Sequence, residues 1–348
     1  MNRQKRLGWL VILLLLILSS EAFAQEPTAW QKVIFPEEIA QSTTGLAPWS
    51  HPIVSAYADL AIIQVDNGIF NPGSRTIQPT SAGKVFYQHF PDDYDFLVVY
   101  PFFEHDQDYS WHTVAQNSVQ GIGLDVRDVS SWFGSAGKLL GVSFCTPATK
   151  VTLVTHEIGH QWGSYLLLCP ISGLNQDSLF RMPPYAPYHW TMVHYGRYGV
   201  MGGIHWVDRG NGTYARGPDP VQRDYLPVQL YVMGLIGIEE MPYIPFLLLD
   251  EAYGWLPDTI KAHQMNIFSG CILAANGPRI PSVAESPKHF RAAFIILTMG
   301  DSVPSGSDKI EAVRRQLPEE FARATGYRAT METRLSIVWK QHLPLVAR

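Results

Sequence analysis

The chain has 348 residues, of which 46 % are hydrophobic and 12 % aromatic, enough to bury a substantial core in one large domain or two lobes. Its 26 basic and 31 acidic residues give a formal net charge of −5, with no basic block. That balance argues against nucleic acid or an anionic membrane surface as a partner, and neither an internal repeat nor a low-complexity tract is visible.

The first 24 residues read as an export signal. Arg3, Lys5 and Arg6 form a basic n-region, residues 7–18 an apolar h-region, and Ala22-Phe23-Ala24 an A-x-A cleavage site before Gln25. The apolar run is too short to span a bilayer comfortably. Cleavage after residue 24 would remove the three basic residues and Glu21, moving the net charge to −7. No later stretch is long and apolar enough to cross a membrane. The mature protein is therefore expected to be secreted or extracytoplasmic, with no membrane partner.

Residues 25–80 are rich in Pro, Ser, Thr and Gly, with short apolar pieces at 53–58 and 60–65. They are expected to form an N-terminal subdomain, a pro-segment or a wrapping arm. From Lys84 the texture changes. Residues 84–86, 96–103 and 139–144 are apolar or β-branched runs bounded by Pro, Asp and Gly, and read as strands; 121–126 is a further candidate. Asp92, Asp93 and Asp95 read as turn residues, since they lack the spacing of a calcium loop.

Residues 151–167, VTLVTHEIGHQWGSYLL, carry the chemistry. Thr146-Pro147 offers an N-cap and a proline at the first helical position, which predicts a helix from about 147 to 167. At 100° per residue, Val151, Val154, Ile158, Trp162 and Tyr165 fall on one side and His156 and His160 on the other. Two histidines at i and i+4 point their rings at one spot, as a tetrahedral Zn²⁺ asks of two ligands. Glu157, about 100° round the helix from His156, would face a water polarised by the ion and act as general base. Gly163 falls on the histidine side, where the missing side chain leaves room for another segment.

The three cysteines are Cys145, Cys169 and Cys271. Export permits one bridge with a thiol left over. Cys145 and Cys169 bracket the predicted helix, yet a helix of that length would hold its ends some 30 Å apart. A bridge between them would require the helix to end early. None has CxxC spacing, so zinc ligation by cysteine is not expected.

Catalytic zinc takes three protein ligands. The long metzincin signature, H-E-x-x-H-x-x-G-x-x-H, is followed through Gly163 and then meets Leu166, so the third ligand must come from further on. Candidates are His189, His194, His205, Asp224, Glu239 and Glu240. His194 or Tyr195 could hydrogen-bond an oxyanion. Trp162, Trp190 and Trp206 read as core. Beyond them, 227–234 reads as a helix, 246–249 and 293–297 as buried segments, and 308–315 and 318–325 as helices, the last ended by Gly326. Together these suggest a mainly helical second lobe closing a cleft.

The order HEIGHQWG (156–163), HW (189–190), GVMGG (199–203), Trp206, NGTY (211–214) and YLPVQLYVMGL (225–235) resembles a family of secreted bacterial zincin-like metallopeptidases. Its members run, in outline, HELGHxW, HWS, SxMGG, W, GDGT and YSPLDLYLMGL. The likeness continues through 289–297 and 321–335, covering roughly residues 84–340. It implies His156 and His160 as metal ligands, Glu157 as base, and His189, the histidine of the HW pair, as leading third ligand. Met201 matches the methionine turn that underlies the zinc site in metzincins. His205 stands where the pattern usually has Asn. Leu226 and Gln229 depart from the pattern, replacing a Ser cap and an Asp; if that Asp is the family's third ligand, this chain offers an amide in its place.

The expectation is therefore an α+β protein: a zincin-like catalytic domain over 81–345, its mixed sheet packed on an active-site helix. It would be an exported zinc metallopeptidase acting on peptides or proteins. Two other readings stand beside it. One is a metalloprotease-like binding module without turnover, motivated by Leu226 and Gln229; the other is a zinc hydrolase of non-peptide amides or esters.

Overall fold

The runs FLVVYP at 96–101 and FRAAFIILT at 290–298 are apolar at almost every position, so a strand made from either must be covered on both faces. In the computed structural model both are central strands of a covered sheet. The residues described are 54–336, excluding 67, 108, 170–180, 183–185, 191–197, 221, 252–255 and 301; of the side chains between 181 and 190, only that of His189 is included. The export signal, residues 25–53, His194 and Tyr195 lie outside the described residues.

In chain order, β1 (Val54–Tyr57) and β2 (Leu60–Gln64) form a hairpin, and β3 (Phe70–Asn71) and β4 (Thr76–Ile77) a smaller one before helix α1 (Pro79–His89). Strands β5 (Phe96–Pro101), β6 (Trp111–Val114), β7 (Gln116–Asn117), β8 (Arg127–Asp128) and β9 (Gly141–Phe144) lead to helix α2 (Val151–Gly159). Then come β10 (Arg181–Met182), β11 (Ala186–Trp190), β12 (Trp206–Asp208), β13 (Thr213–Arg216) and α3 (Pro227–Met233). The long hairpin β14 (Tyr243–Leu249) and β15 (Thr259–Phe268) runs into α4 (Ser269–Asn276), followed by β16 (His289–Thr298), α5 (Ser307–Ala324) and β17 (Thr330–Glu332).

The main sheet has the order β1-β2-β16-β5-β9-β6, with β17 pairing the start of β16. Strands β2, β16, β5 and β9 are parallel to one another, and β1 and β6 are antiparallel edges. Because side chains alternate along each strand, the sheet feeds two cores. Phe96, Val98, Phe294 and Ile296 pack with Val154, Ile158 and Trp162 from α2 and its continuation, and with Phe321 of α5. Leu97, Val99 and Ile295 pack instead with Val85 and Phe86 of α1 and with Phe133. The architecture is α+β: a mixed sheet with α2 and α5 on one face and α1 on the other.

Several expectations are corrected. Residues 84–86 lie inside α1 rather than in a strand, and 121–126 form no strand. The second lobe is not mainly helical, because β12-β13-β15-β14 make a four-stranded antiparallel sheet there. The buried run 293–297 belongs to the centre of the main sheet. Residues from Val54 onward are built into that same sheet, and the expected boundary at 80/81 falls within α1. Asp92, Asp93 and Asp95 serve internal partners: Ala136 N, Arg291, and Lys138 Nζ with Arg291 N, respectively.

The two helices expected at 308–315 and 318–325 are one, running through Pro318. Proline removes the hydrogen bond that the carbonyl four residues earlier would accept. Here that carbonyl belongs to Arg314, and Thr333 Oγ1 donates to it instead, at 3.2 Å. The same threonine oxygen accepts from Arg314 Nη1 at 3.0 Å, while the buried guanidinium forks onto Glu311 at 2.7 and 2.8 Å and reaches Asp59 at 3.1 Å. One side chain thus ties α5 to the β1–β2 turn and to the chain beyond β17. Replacing Arg314 by Met leaves the buried Glu311 carboxylate with Arg315 alone, at 2.7 Å, and is expected to cost about 2 kcal/mol of unfolding free energy, measurable by urea denaturation; a change below about 0.5 kcal/mol would show the tie to be idle.

Candidate metal centre

Helix α2 is shorter than its apolar periodicity suggests. It begins at Val151 behind Lys150, with no side-chain cap, and ends at Gly159, with His160 as the C-cap residue still in the right-handed helical region. Thr146 closes a preceding turn rather than capping the helix. Gly159, Gly163 and the intervening Trp162 are poor helix formers, and the chain tightens there into bonds from Gln161 N to Ile158 O and Trp162 N to Gly159 O. The i, i+4 relation of His156 and His160 survives because His160 keeps helical dihedrals. The atoms nearest the missing side chain of Gly163 belong to the same segment, the Tyr165 ring and the His160 backbone.

The two rings converge, and His189 on β11 joins them. His156 Nε2 lies 3.2 Å from His160 Nε2 and 3.0 Å from His189 Nε2. All three are buried, at 8, 0 and 7 % exposure, and their ligand atoms fall within 4.8 Å of one another. This is the one such group of three among the described residues, and it could hold a metal ion. Burial pushes His156 down to about 4 and His160 well below the usual imidazole range, the neighbouring rings adding to the effect at His160. Neutral imidazole is the state that ligates a metal.

The first ring is held by a backbone carbonyl. His156 Nδ1–H donates to Val200 O at 2.6 Å, which leaves its Nε2 lone pair facing the other rings. Val200 sits in the tight turn of residues 199–202, closed by reciprocal bonds between Gly199 and Gly202; Gly202, at φ +109°, adopts a backbone that favours glycine. Met201 of this turn is buried against Gly159, where a Cβ would collide with its sulfur. Tyr225 packs on the same glycine and donates its hydroxyl to Thr155 O at 2.6 Å. The methionine of GVMGG therefore lies directly under the histidine helix.

Glu157 is fully buried, and neither carboxyl oxygen has a hydrogen-bond partner among the described residues. Burial pushes its carboxyl well above the usual range. Leaving both oxygens unpaired would cost several kcal/mol for an ionised group, so burial favours the protonated carboxyl.

The remaining candidates lie elsewhere. Asp224 is exposed and paired with Arg323, Glu240 with Arg328, and His205 bonds Pro218 O. Glu239 is exposed. Gln229 Oε1 accepts from Leu226 N at 2.8 Å, doing from the third helical position what a capping side chain would otherwise do for α3. The disulfide joins Cys169 to Cys271, not to Cys145, which stays free and buried. Trp162 and Trp206 are core residues.

Sequence reasoning missed His112. This ring, on edge strand β6, is fully buried; Ser143 Oγ donates to its Nδ1 at 2.9 Å, and its Nε2–H donates to Gln161 Oε1 at 3.2 Å. Gln161 Nε2 in turn donates to Gln116 O at 2.7 Å. The chain of bonds braces the residue next to His160 against the sheet edge. A histidine inside the otherwise apolar and β-branched run WHTV was the available signal, since a buried imidazole needs two partners.

No protein-family model, curated protein or solved structure matches this chain. The likeness to a metallopeptidase family rests on the motifs themselves.

The buried rings make stability depend on pH. Burial pushes His112 down to about 4, as it does His156. Between pH 6.5 and 4 the unfolded chain binds more protons at these rings, so their contribution to stability is lost as pH falls; the raised Glu157 carboxyl acts in the opposite direction. His112→Gln is expected to make the pH dependence of metal-free urea unfolding shallower by about one proton, or about 1.4 kcal/mol per pH unit. An unchanged slope would contradict a neutral buried ring at this position.

Proposed function

We propose that the chain is an exported zinc-dependent metallopeptidase with a zincin-like catalytic domain. The observation that carries the reading is the convergence of three buried imidazoles, two of them on the helix that also carries the fully buried carboxyl of Glu157. Ligand nitrogens on a tetrahedral zinc stand about 3.3 Å apart, given bonds of about 2.0–2.1 Å. The two observed separations, 3.0 and 3.2 Å, fit that spacing. Imidazole suits zinc, and three protein donors leave a position for substrate or water.

When bound, zinc supplies a Lewis acid that polarises a carbonyl and acidifies water. The protein residues do the rest. His156, oriented by Val200 O, presents Nε2 to the common point, as do His160 and His189. Glu157 holds and releases the proton at its carboxyl: a cation beside it favours the carboxylate, offsetting the burial that favours the acid. The carboxylate takes a proton from the attacking water, and the acid returns it to the leaving amine. Peptide or protein as substrate follows from the motif likeness, and export from residues 1–24.

A second reading, a binding module without turnover, is favoured by one feature: Glu157 and His160 are fully enclosed. Two variants separate the readings. Glu157→Gln is expected to retain stoichiometric zinc while cleavage of a peptide library falls by about 10²–10⁴. His189→Ala is expected to lose both zinc affinity and cleavage. Stoichiometric zinc in the wild type, with no cleavage of any peptide, would favour the binding module; absence of zinc would overturn both.

A further inference from the structure

Among the described residues, Arg223 carries a charge near the metal centre that no ion pair uses. Its guanidinium lies 3.9 Å from the centroid of the Tyr198 ring, stacked as a cation on an aromatic face. Both residues are half-buried. Tyr198 enters the turn that carries Val200 and Met201. Asp224, next to Arg223, accepts from Val200 N at 3.1 Å, and Val200 O in turn orients His156. The pair therefore sits two backbone hydrogen bonds from the ligand ring.

The guanidinium has no ion pair and donates no hydrogen bond among the described residues. Its nearest carboxylate in sequence, Asp224, is taken by Arg323 at 2.6 Å, and Arg323 also bonds the Arg223 carbonyl. A permanent cation two backbone hydrogen bonds from a metal ligand, with no carboxylate of its own among the described residues, is left for an anionic partner. Stacking on Tyr198 keeps the flat, five-donor group in place, a geometry suited to two parallel bonds with a carboxylate.

We propose that Arg223, held on Tyr198, is a specificity residue that binds a carboxylate of the peptide substrate close to the bond being cleaved. This rests on the zinc reading above. The carboxylate could be an acidic side chain or the C-terminus, and the test separates them. Three peptide hydroxamates, identical except at the last residue, are measured on the zinc-loaded full chain by calorimetry. They end in glutamine amide, glutamate amide and glutamine free acid.

At least one acidic probe is expected to bind about tenfold or more tightly than the neutral one. A gain for glutamate amide assigns an acidic side chain, and a gain for the free acid assigns a C-terminus. Each variant is judged on the ratio of acidic to neutral affinity: Arg223→Gln is expected to bring it to within about twofold of unity, and Arg223→Lys to keep part of it. Equal binding of all three probes by the wild type, or a ratio that survives Arg223→Gln, overturns the proposal. A protein that holds no zinc and binds none of the probes overturns the peptidase reading, and the subsite with it.

Discussion

The site depends on one hydrogen bond more than on any other contact, that from His156 Nδ1 to the carbonyl of Val200. It sets the tautomer of the first ring and turns its free nitrogen toward His160 and His189. The carbonyl is available because residues 199–202 fold into a tight turn, and the turn fits because Gly159 lets Met201 lie against the helix. Tyr225 closes the same contact from the other side, and its own amide bonds Ala324 O at the end of α5. Sheet, histidine helix, methionine turn and C-terminal helix thus meet within a few residues of the ligand cluster.

That arrangement explains how a cluster of buried polar groups persists in a protein core. Three buried imidazoles and a fully buried carboxyl are costly. The surrounding apolar packing against Phe96, Phe290 and Phe321 carries the cost, since Trp162 and both helices are fixed by it whatever occupies the centre. The fully satisfied chain from Ser143 through His112 and Gln161 to Gln116 adds rigidity on the sheet side. His189 stands on β11, which among the described residues pairs with β10.

Much of this was legible in the chain. The i, i+4 histidines needed only a turn of helix, which local periodicity supplies, and the continuous apolar runs at 96–101 and 290–298 could only be covered strands. What failed had identifiable causes. Apolar spacing continues past Gly159 and predicts a longer helix than the one that forms, although glycine and aromatic residues end it. Residues 84–86, Lys-Val-Phe, are β-prone alone, but they lie in a helix begun by Pro79 that buries Val85 and Phe86 and leaves Lys84 exposed. Proline at 318 suggested a break, and only Thr333, from beyond β17, supplies the missing donor to Arg314 O. The four-stranded second sheet joins segments up to about fifty residues apart, a pairing that no local pattern encodes.

The choice among third ligands also turned on distant pairing. His189 was favoured by its place in a motif, whereas exclusion of Asp224, Glu240 and Gln229 came from the partners that each of them already has. The most direct test of the account is X-ray absorption at the zinc edge on protein purified with its native metal. The account predicts three imidazole nitrogens at about 2.0–2.1 Å with one further light donor. A sulfur scatterer, fewer than three imidazoles, or no metal at the edge would contradict it.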